Sequence, residues 1–353
     1  PAPPAPAPPA PAAAAAPAAP AAAAARAADR VGGYRVEALL GRGVFATVAR
    51  ALDLGALGRG APRTVALKVC RADAAAAAAA AREAAALRAL GPGAPSVARL
   101  LGAFEDRGRA VLVLEPLRED LRACYKRCRR RRDAPSLGGV PVPLARAAAA
   151  GLGAALAHAH GAGVAHLDVK PDNALVDAAR SRVVLADFGS ARTSGEPPLD
   201  SAYVASRYYR APETCLGLGH PAFPADVWAL GVTLAEAATG KLLFTGRDNH
   251  ALLRAHAARL GPPPPRTFAA ARFAAKHLLP GGALRARPAA EGAAAAADDA
   301  AAPRPLAAVL AGSGATTRAA GELLDLVEAA LRWDPARRLD AAAAGASRFA
   351  RGA

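Results

Sequence analysis

Alternating apolar and polar residues dominate the first third of the chain and indicate short β-strands. Glycine-containing turns separate these segments, which is typical of antiparallel hairpins. An alanine-rich run over residues 74–90 interrupts the series. Because alanine has the highest intrinsic helicity, and Leu87 and Leu90 recur at helical spacing, this run is predicted to be an α-helix. The predicted strands are 34–40, 47–53, 64–70, 99–105 and 110–115.

Helical patterns replace strand patterns after residue 117. The predicted helices are 118–130, 144–161, 225–239, 249–259 and 321–332. Residues 281–320 are rich in Ala, Gly and Pro with little apolar periodicity, and are interpreted as a flexible insert. The pattern therefore predicts an α+β fold, in which a small β-rich lobe over 31–117 with one main helix precedes a larger helical lobe over 118–350.

Composition separates a low-complexity tail from this ordered region. Residues 1–30 are largely proline and alanine, and because frequent proline fixes φ and removes donors, a disordered, polyproline-like tail is predicted. No apolar stretch of about 18 residues free of Arg and Pro has the aliphatic content of a membrane span, so no membrane association is expected. Four cysteines with a single C-x-x-x-C pair favour a reducing compartment over a zinc site. The absence of methionine is consistent with a fragment of a longer chain.

The positive charge carries little functional information by itself. Lys and Arg total 45 against 29 Asp and Glu, giving a net charge of +16, but only five of these cations are Lys. Ile, Met and Gln are absent, so this narrow usage indicates codon bias. The densest basic run is 126–132, which is either a solvated helix end or a docking or RNA-contacting patch. Only Tyr125 offers an aromatic ring there, so RNA bases would have little to stack on.

Two motifs in the first lobe could bind an anionic ligand. The segment GRGVFATV, residues 41–48, has glycines that let backbone N–H groups approach phosphates, although alone it also fits an ordinary hairpin turn. In VALKV, Lys68 lies within an otherwise apolar strand, and a buried lysine requires an anion. Glu83 on the predicted helix is the natural partner. The alternative is a lysine on the exposed face of an edge strand.

The strongest chemical signal is HLDVKPDNALV at 166–176, followed by ADFGSA at 186–191. One of only two asparagines and one of five lysines occur there, against the bias of the chain. Asp168 can accept a proton from an attacking hydroxyl, and Lys170 can neutralise charge on a transferring phosphoryl group. Asn173 and Asp187 offer hard oxygen ligands suited to Mg²⁺.

Taken in order, these motifs resemble the protein kinase family. The matching set also includes RAPE at 210–213 and DVWALG at 226–231, and the resemblance covers about residues 34–350. EPLREDLR, SRYYRAPE and TGKLLFTGRDNH are similar to the CMGC group, and more narrowly to the pre-mRNA-processing kinase branch near the dual-specificity tyrosine-regulated kinases. The resemblance implies a bilobal kinase fold that uses ATP and Mg²⁺.

The resemblance also implies roles for single residues. Asp168 and Lys170 would be catalytic together with a Lys68–Glu83 pair, and Asn173 and Asp187 would bind the metal. Leu114 would be the gatekeeper, residues 115–117 the hinge that meets adenine, and Leu87, Leu100, His166 and Phe188 a hydrophobic spine. Glu213 with Arg338 would form a buried ion pair, and Asp226 would anchor the catalytic loop. The implied nucleotide-binding residues are Leu40, Gly41, Arg42, Gly43, Val44, Phe45, Ala46, Thr47, Val48, Ala66, Lys68, Leu114, Glu115, Leu117 and Leu175.

One departure from the family concerns regulation. Leu167 replaces the arginine that precedes the catalytic aspartate in most kinases and contacts a phosphate on the activation segment, so that control is in doubt here. The pre-mRNA-processing branch also lacks this arginine. Tyr203 lies four residues before Arg207, and we interpret it as an autophosphorylation site read by that arginine, with simple packing as the alternative.

These implications favour a serine/threonine kinase acting on protein substrates. The expected substrates are spliceosomal or Arg/Ser-rich proteins, and the expected location is the nucleus, with a cytoplasmic pool also compatible. We expect a monomeric catalytic domain. Two alternatives remain: a pseudokinase scaffold, and an RNA-contacting splicing component.

Overall fold

The first lobe is built on one antiparallel sheet. The computed structural model describes residues 30–55, 63–131, 138–177, 182–196, 206–218, 222–286, 305–311 and 317–352, so the predicted tail lies outside the described residues apart from Arg30. The sheet has the order β1-β2-β3-β4-β6-β5. Its strands are β1 Arg30–Val31, β2 Tyr34–Arg42, β3 Ala46–Asp53, β4 Arg63–Cys70, β5 Leu100–Asp106 and β6 Arg109–Leu114.

One helix packs on this sheet, as the alanine run predicts. Helix α1 spans Ala74–Leu90, the predicted range. It begins where the Asp73 carboxylate accepts a hydrogen bond from the Ala76 amide, and it ends at Gly91, whose φ of 78° favours glycine. The predicted strands are confirmed within two residues at each end. Arg30, assigned to the tail, pairs with Arg35 across the β1–β2 hairpin instead.

The second lobe is mainly helical, which confirms the predicted α+β bilobal class. Its helices are α2 Leu121–Arg131, α3 Val142–Gly161, α4 Pro212–Leu216, α5 Ala222–Thr239, α6 Asn249–Leu260, α7 Ala274–His277, α8 Leu306–Ala311, α9 Thr317–Ala330, α10 Ala341–Gly345 and α11 Arg348–Arg351. Short strands border the cleft: β7 Glu119–Asp120, β8 Val164–Ala165, β9 Ala174–Val176, β10 Val183–Leu185 and β11 Arg192–Thr193.

The segment interpreted as one flexible insert, 281–320, contains more structure than expected at its end. Within the described residues, α8 lies inside this range and α9 begins at Thr317. Leu306 and Leu310 are buried and belong to the main core of the lobe. A six-residue helix is too short to show apolar periodicity, which is why its two core leucines were missed.

Small residues let the central helix α3 pack closely. A Cβ placed on Gly153 would lie 2.4 Å from the Cα of Gly345 in α10, and one on Gly151 would lie 2.3 Å from the carbonyl oxygen of Val183. The helix is long and apolar enough to cross a membrane by length and composition alone. Because 56% of its most apolar window is buried in the protein, it has the packing of a core helix.

A buried histidine occupies an aromatic box in this lobe. The His256 ring packs edge-on against Trp228, Phe244 and Trp333, at centroid distances of 4.8, 4.5 and 6.0 Å. Neither ring nitrogen has a hydrogen-bond partner among the described residues. Burial, with a further contribution from the nearby Arg338 guanidinium, lowers the pKa of His256 to about 3.

This histidine should make the fold sensitive to acid. In the unfolded chain His256 takes up a proton near pH 6.5, whereas in the folded protein it stays neutral until about pH 3. The stabilising contribution of the neutral ring is therefore fully present above pH 6.5 and is lost as the pH falls toward 3. One such proton changes the free energy of unfolding by about 1.4 kcal/mol per pH unit. In urea titrations between pH 7.5 and 4.5, His256→Leu should therefore reduce the slope of stability against pH by about that amount. Parallel curves for the two proteins would contradict the assignment.

Candidate active site

The glycine-containing segment forms the β2–β3 hairpin. The region bounded by this hairpin, Lys68 and Asp187 is called the cleft below. Gly41 pairs with Val48, and the amide of Gly43 donates to the carbonyl oxygen of Ala46 at 2.8 Å. A Cβ on Gly41 would meet no atom within 4 Å, so the space beside the backbone is open. The exposed large hydrophobic side chains of this hairpin are Leu39, Leu40, Val44 and Phe45. The segment is thus a hairpin turn, and its open backbone can also approach a phosphate.

Lys68 lies on a central strand, so the edge-strand alternative is wrong. Strand β4 pairs with β3 on one side and β6 on the other, with Lys68 opposite Val48 and Leu112. The Lys68 Nζ lies 2.5 Å from Glu83 Oε2 and 2.7 Å from Asp187 Oδ1. Burial alone would lower the pKa of Lys68, but the two carboxylates outweigh burial and raise it. The lysine therefore stays charged between the two carboxylates.

Asp187 occupies a constrained turn that directs its carboxylate toward the cleft. Its φ is 65°, and the 3₁₀ turn Phe188–Ser190 begins at the next residue. A Cβ on Gly189 would lie 3.2 Å from Asp187 Oδ1, so glycine gives this carboxylate room. Burial opposes ionisation, but Lys68 outweighs it and lowers the pKa of Asp187. Because the side chain is 45% exposed, an ionised oxygen remains accessible to a ligand.

The catalytic-loop residues converge around Asp168. Lys170 Nζ contacts Asp168 Oδ2 at 2.6 Å and donates to Ser206 Oγ at 2.9 Å. The amide of Ser206 donates to Asp168 Oδ1 at 3.1 Å. Asn173 Nδ2 donates to the carbonyl oxygen of Asp168 at 2.8 Å, while no hydrogen bond to Asn173 Oδ1 occurs among the described residues. The side-chain amide of Asn173 therefore directs its nitrogen toward Asp168 and its oxygen away from it.

Asp226 on α5 holds this loop from below. Its two carboxylate oxygens accept the amides of His166 and Leu167, each at 2.7 Å. Leu167 has φ of 64°, a strained value for a branched side chain, and the two hydrogen bonds stabilise it. The His166 ring packs edge-on against Phe188 at 4.6 Å, which joins the loop to the turn carrying Asp187. Leu87 and Leu100 lie in or against the same core cluster as Phe188.

The residues expected to surround adenine come from both lobes. Ala66 lies opposite Leu114 across β4 and β6. Below them, Leu117 and Leu175 pack against Ala98, Val184 and Ala186. The amide of Glu115 donates to the carbonyl oxygen of Arg99 at 3.0 Å, which orients the connecting segment.

The regulatory prediction is only partly within the described residues. Arg207 begins the 3₁₀ turn Arg207–Tyr209, where its carbonyl oxygen accepts the Arg210 amide at 3.2 Å, and its guanidinium makes no hydrogen bond or ion pair with the described residues. Tyr203 lies outside the described residues. Leu167 is buried, so its side chain takes no part in reading a phosphate.

Two arginines of the basic run at 126–132 make contacts within the protein. Arg127 contacts the carboxylate of Glu119, and Arg129 donates to the carbonyl oxygen of Gly240 at 3.1 Å. Lys126 is exposed. The side chains of 130–132 lie outside the described residues. These internal contacts reduce the cationic surface that an RNA could neutralise.

Sequence reasoning missed a polar cluster beneath the catalytic loop. Arg122 on α2 contacts the carboxylates of Asp172 and Glu236 at 2.9 and 2.8 Å. The hydroxyls of Tyr125 and Tyr209 complete the cluster. A signal was available, because Glu236 lies in an otherwise apolar stretch of α5, and an acid at such a position needs a buried partner.

The family comparison agrees with this geometry. Residues 34–350 match the protein kinase domain. The chain belongs to the protein kinase family. Among curated relatives of this kinase chain, serine/threonine-protein kinase prp4 of Schizosaccharomyces pombe is 32% identical over 225 residues, covering 63% of this chain and 44% of that protein. Protein kinase MCK1 of Saccharomyces cerevisiae is 40% identical over 106 residues, 30% of this chain and 28% of the relative.

A third relative narrows the placement within the kinase family. Serine/threonine-protein kinase prpf4B of Dictyostelium discoideum is 43% identical over 91 residues, which is 26% of this chain and 11% of that protein. Together the relatives confirm the resemblance to the CMGC group and its pre-mRNA-processing branch. In each case the match covers less than half of the relative's length.

Proposed function

We propose that this chain is a serine/threonine protein kinase that transfers the γ-phosphoryl group of ATP to protein hydroxyls. One set of contacts carries the proposal: Lys68 is held between the carboxylates of Glu83 and Asp187, and both Lys170 and Asn173 contact Asp168. Phosphoryl transfer requires mainly positioning and charge stabilisation. These side chains supply both.

The donor atoms fit a nucleotide with a divalent metal. Asn173 Oδ1 and the exposed part of the Asp187 carboxylate are hard oxygen ligands, which suit Mg²⁺. When bound, Mg²⁺ would neutralise charge on the β- and γ-phosphates. Lys68 would contact the α- and β-phosphates, and the open backbone at residues 41–48 would cover them. Ala66, Leu114, Leu117 and Leu175 would bind the adenine ring.

In this proposal, Asp168 accepts the proton of the substrate hydroxyl. As that proton leaves, the hydroxyl oxygen forms a bond to the γ-phosphorus, and the bond to the bridging oxygen breaks to release ADP. Lys170 and the Ser206 amide hold the Asp168 carboxylate in one orientation. Lys170 is also close enough to neutralise charge on the transferred phosphoryl group.

The substrates we propose are pre-mRNA splicing factors, including Arg/Ser-rich proteins, phosphorylated in the nucleus. Support comes from the names prp4 and prpf4B carried by two relatives, which belong to the branch that the motifs resemble. We also propose Tyr203 as an autophosphorylation site, with Arg207 as its cationic partner. This role is supported by the Arg207 guanidinium, which has no hydrogen bond or ion pair within the described part of the chain.

A pseudokinase scaffold is disfavoured, because the four residues whose loss would indicate one are all present around the cleft. An RNA-contacting component is disfavoured by the internal contacts of Arg127 and Arg129.

A transfer assay tests the proposed function. The purified chain should transfer labelled phosphate from ATP to serine- or threonine-containing peptides, and chelating divalent metal with EDTA should stop the transfer. Added Mg²⁺ should restore it. Binding of ATP without transfer, even after phosphorylation of Tyr203, would instead indicate a pseudokinase.

A further inference from the structure

Arg122 joins four elements beneath the catalytic loop. It lies in the first turn of α2, with Nε 2.9 Å from Asp172 Oδ1 and Nη1 2.8 Å from Glu236 Oε1. Its Nη2 donates to the Tyr209 hydroxyl at 2.6 Å. All three guanidinium nitrogens are thus engaged, each with a group on a different segment. This arrangement requires the planar guanidinium of arginine, whose donors point in several fixed directions, and the ammonium group of a lysine could not replace it.

The cluster is built around a buried carboxylate. The Glu236 side chain is 1% exposed, and its two oxygens also accept the hydroxyls of Tyr125 and Tyr209 at 2.7 and 2.5 Å. Burial and the adjacent Glu236 carboxylate raise the pKa of both phenols, so they remain neutral donors. A buried carboxylate needs a cation, and among the described residues Arg122 is the cation that contacts Glu236.

Two partners of Arg122 belong to turns that flank the catalytic aspartate. Asp172 lies in the 3₁₀ turn Pro171–Asn173, between Lys170 and the candidate metal ligand Asn173. On the other side, the amide of Tyr209 donates to the carbonyl oxygen of Ser206 at 3.0 Å, and the amide of Ser206 donates to Asp168 Oδ1. The guanidinium therefore links both turns to the fixed carboxylate on α5.

We propose that Arg122 is a positioning residue for phosphoryl transfer, which ties the turns at Asp172 and Tyr209 to Glu236 and so fixes Asp168 relative to Asn173. This inference rests on the proposed function. It predicts an effect on the chemical step and little effect on nucleotide affinity, because Arg122 contacts neither the β2–β3 hairpin nor Lys68. A displacement of about 1 Å at a reacting group can lower a rate by about a hundredfold.

The test compares Arg122→Ala and Arg122→Lys with Arg129→Ala. Arg129 is a matched control on the same helix, because among the described residues its guanidinium contacts only the carbonyl oxygen of Gly240. Peptide phosphorylation gives kcat and the KM for ATP, and hydrogen exchange is measured for peptides covering 168–176 and 206–210. We expect Arg122→Ala to lower kcat about 10- to 100-fold with the KM for ATP within about twofold, and to accelerate exchange in both peptides. Millimolar ethylguanidine should restore part of the lost kcat in Arg122→Ala only.

Each outcome decides the inference. If Arg122→Ala does not fold, Arg122→Lys replaces it, and a fall in kcat with unchanged melting temperature supports positioning, because one ammonium cannot reach all three groups. A kcat within twofold of the parent in whichever variant folds would overturn the proposal. If the parent chain transfers no phosphate, the proposed function fails. The hydrogen-exchange data then decide by themselves whether Arg122 couples the turns at Asp172 and Tyr209. Unchanged exchange in the Arg122 variant would show that it does not.

Discussion

Replacing Asp168 with asparagine should lower kcat for peptide phosphorylation by about a thousandfold, within the range by which a general base accelerates a reaction. Asparagine has nearly the same volume and can still accept the Ser206 amide, so the loop should keep its shape. It can neither accept the hydroxyl proton nor pair with the Lys170 ammonium. The KM for ATP should change little, because Asp168 does not contact Lys68 or the β2–β3 hairpin.

Steady-state kinetics with a nucleotide-binding titration measure this effect. Asp325→Asn is a matched control, because Asp325 lies exposed on α9, far along the chain from the cleft. It should retain full kcat and full nucleotide affinity. Equal rates for Asp168→Asn and the parent would remove Asp168 from the reaction, and loss of nucleotide binding in the variant would indicate disrupted folding instead.

Replacing Arg338 with methionine should destabilise the helical lobe by about 3–5 kcal/mol, because it leaves a carboxylate buried without its cation. The guanidinium makes two hydrogen bonds to Glu213, at 2.5 and 2.7 Å, and the two side chains are 0% and 3% exposed. It also packs over Trp228, 5.1 Å from the ring centroid. Urea unfolding monitored by tryptophan fluorescence should report the loss directly.

A double-mutant cycle separates the ion pair from the packing of the arginine. Glu213→Gln combined with Arg338→Met removes the uncompensated charge, so the double variant should lose less stability than the sum of the two single variants. Additive losses would show that the pair contributes no interaction energy of its own, and that Arg338 acts through its remaining contacts.

The fold could be predicted where local physics decides the structure. Helix α1 matches its predicted range because Asp73 and Gly91 provide a cap at each end of an alanine run. The Lys68–Glu83 pair could be proposed because a lysine in an apolar strand requires an anion, and Glu83 was the available acid. The catalytic loop could be recognised because it contains Lys and Asn, two residue types that are rare in this chain.

Other features could not be predicted because they depend on distant contacts. Helices α4, α10 and α11 have five residues or fewer, too few to show periodicity. The Arg122 cluster joins residues separated by 50 and 114 positions in the chain, and nothing in the sequence around Arg122 identifies Glu236 as its partner. Likewise, the role of Asp226 came only from family resemblance, since its two amide partners lie about 60 residues earlier.

The close packing at α3 also limits which residues the helix can contain. Alanine has a higher helix propensity than glycine, so exposed helix positions accept a glycine-to-alanine change readily. Gly151 and Gly153 cannot, because the added methyl group would overlap the backbone at Val183 and Gly345. The spacing between α3 and its neighbours therefore excludes alanine at two positions of the helix, although alanine is the residue that this chain otherwise uses most in its helices.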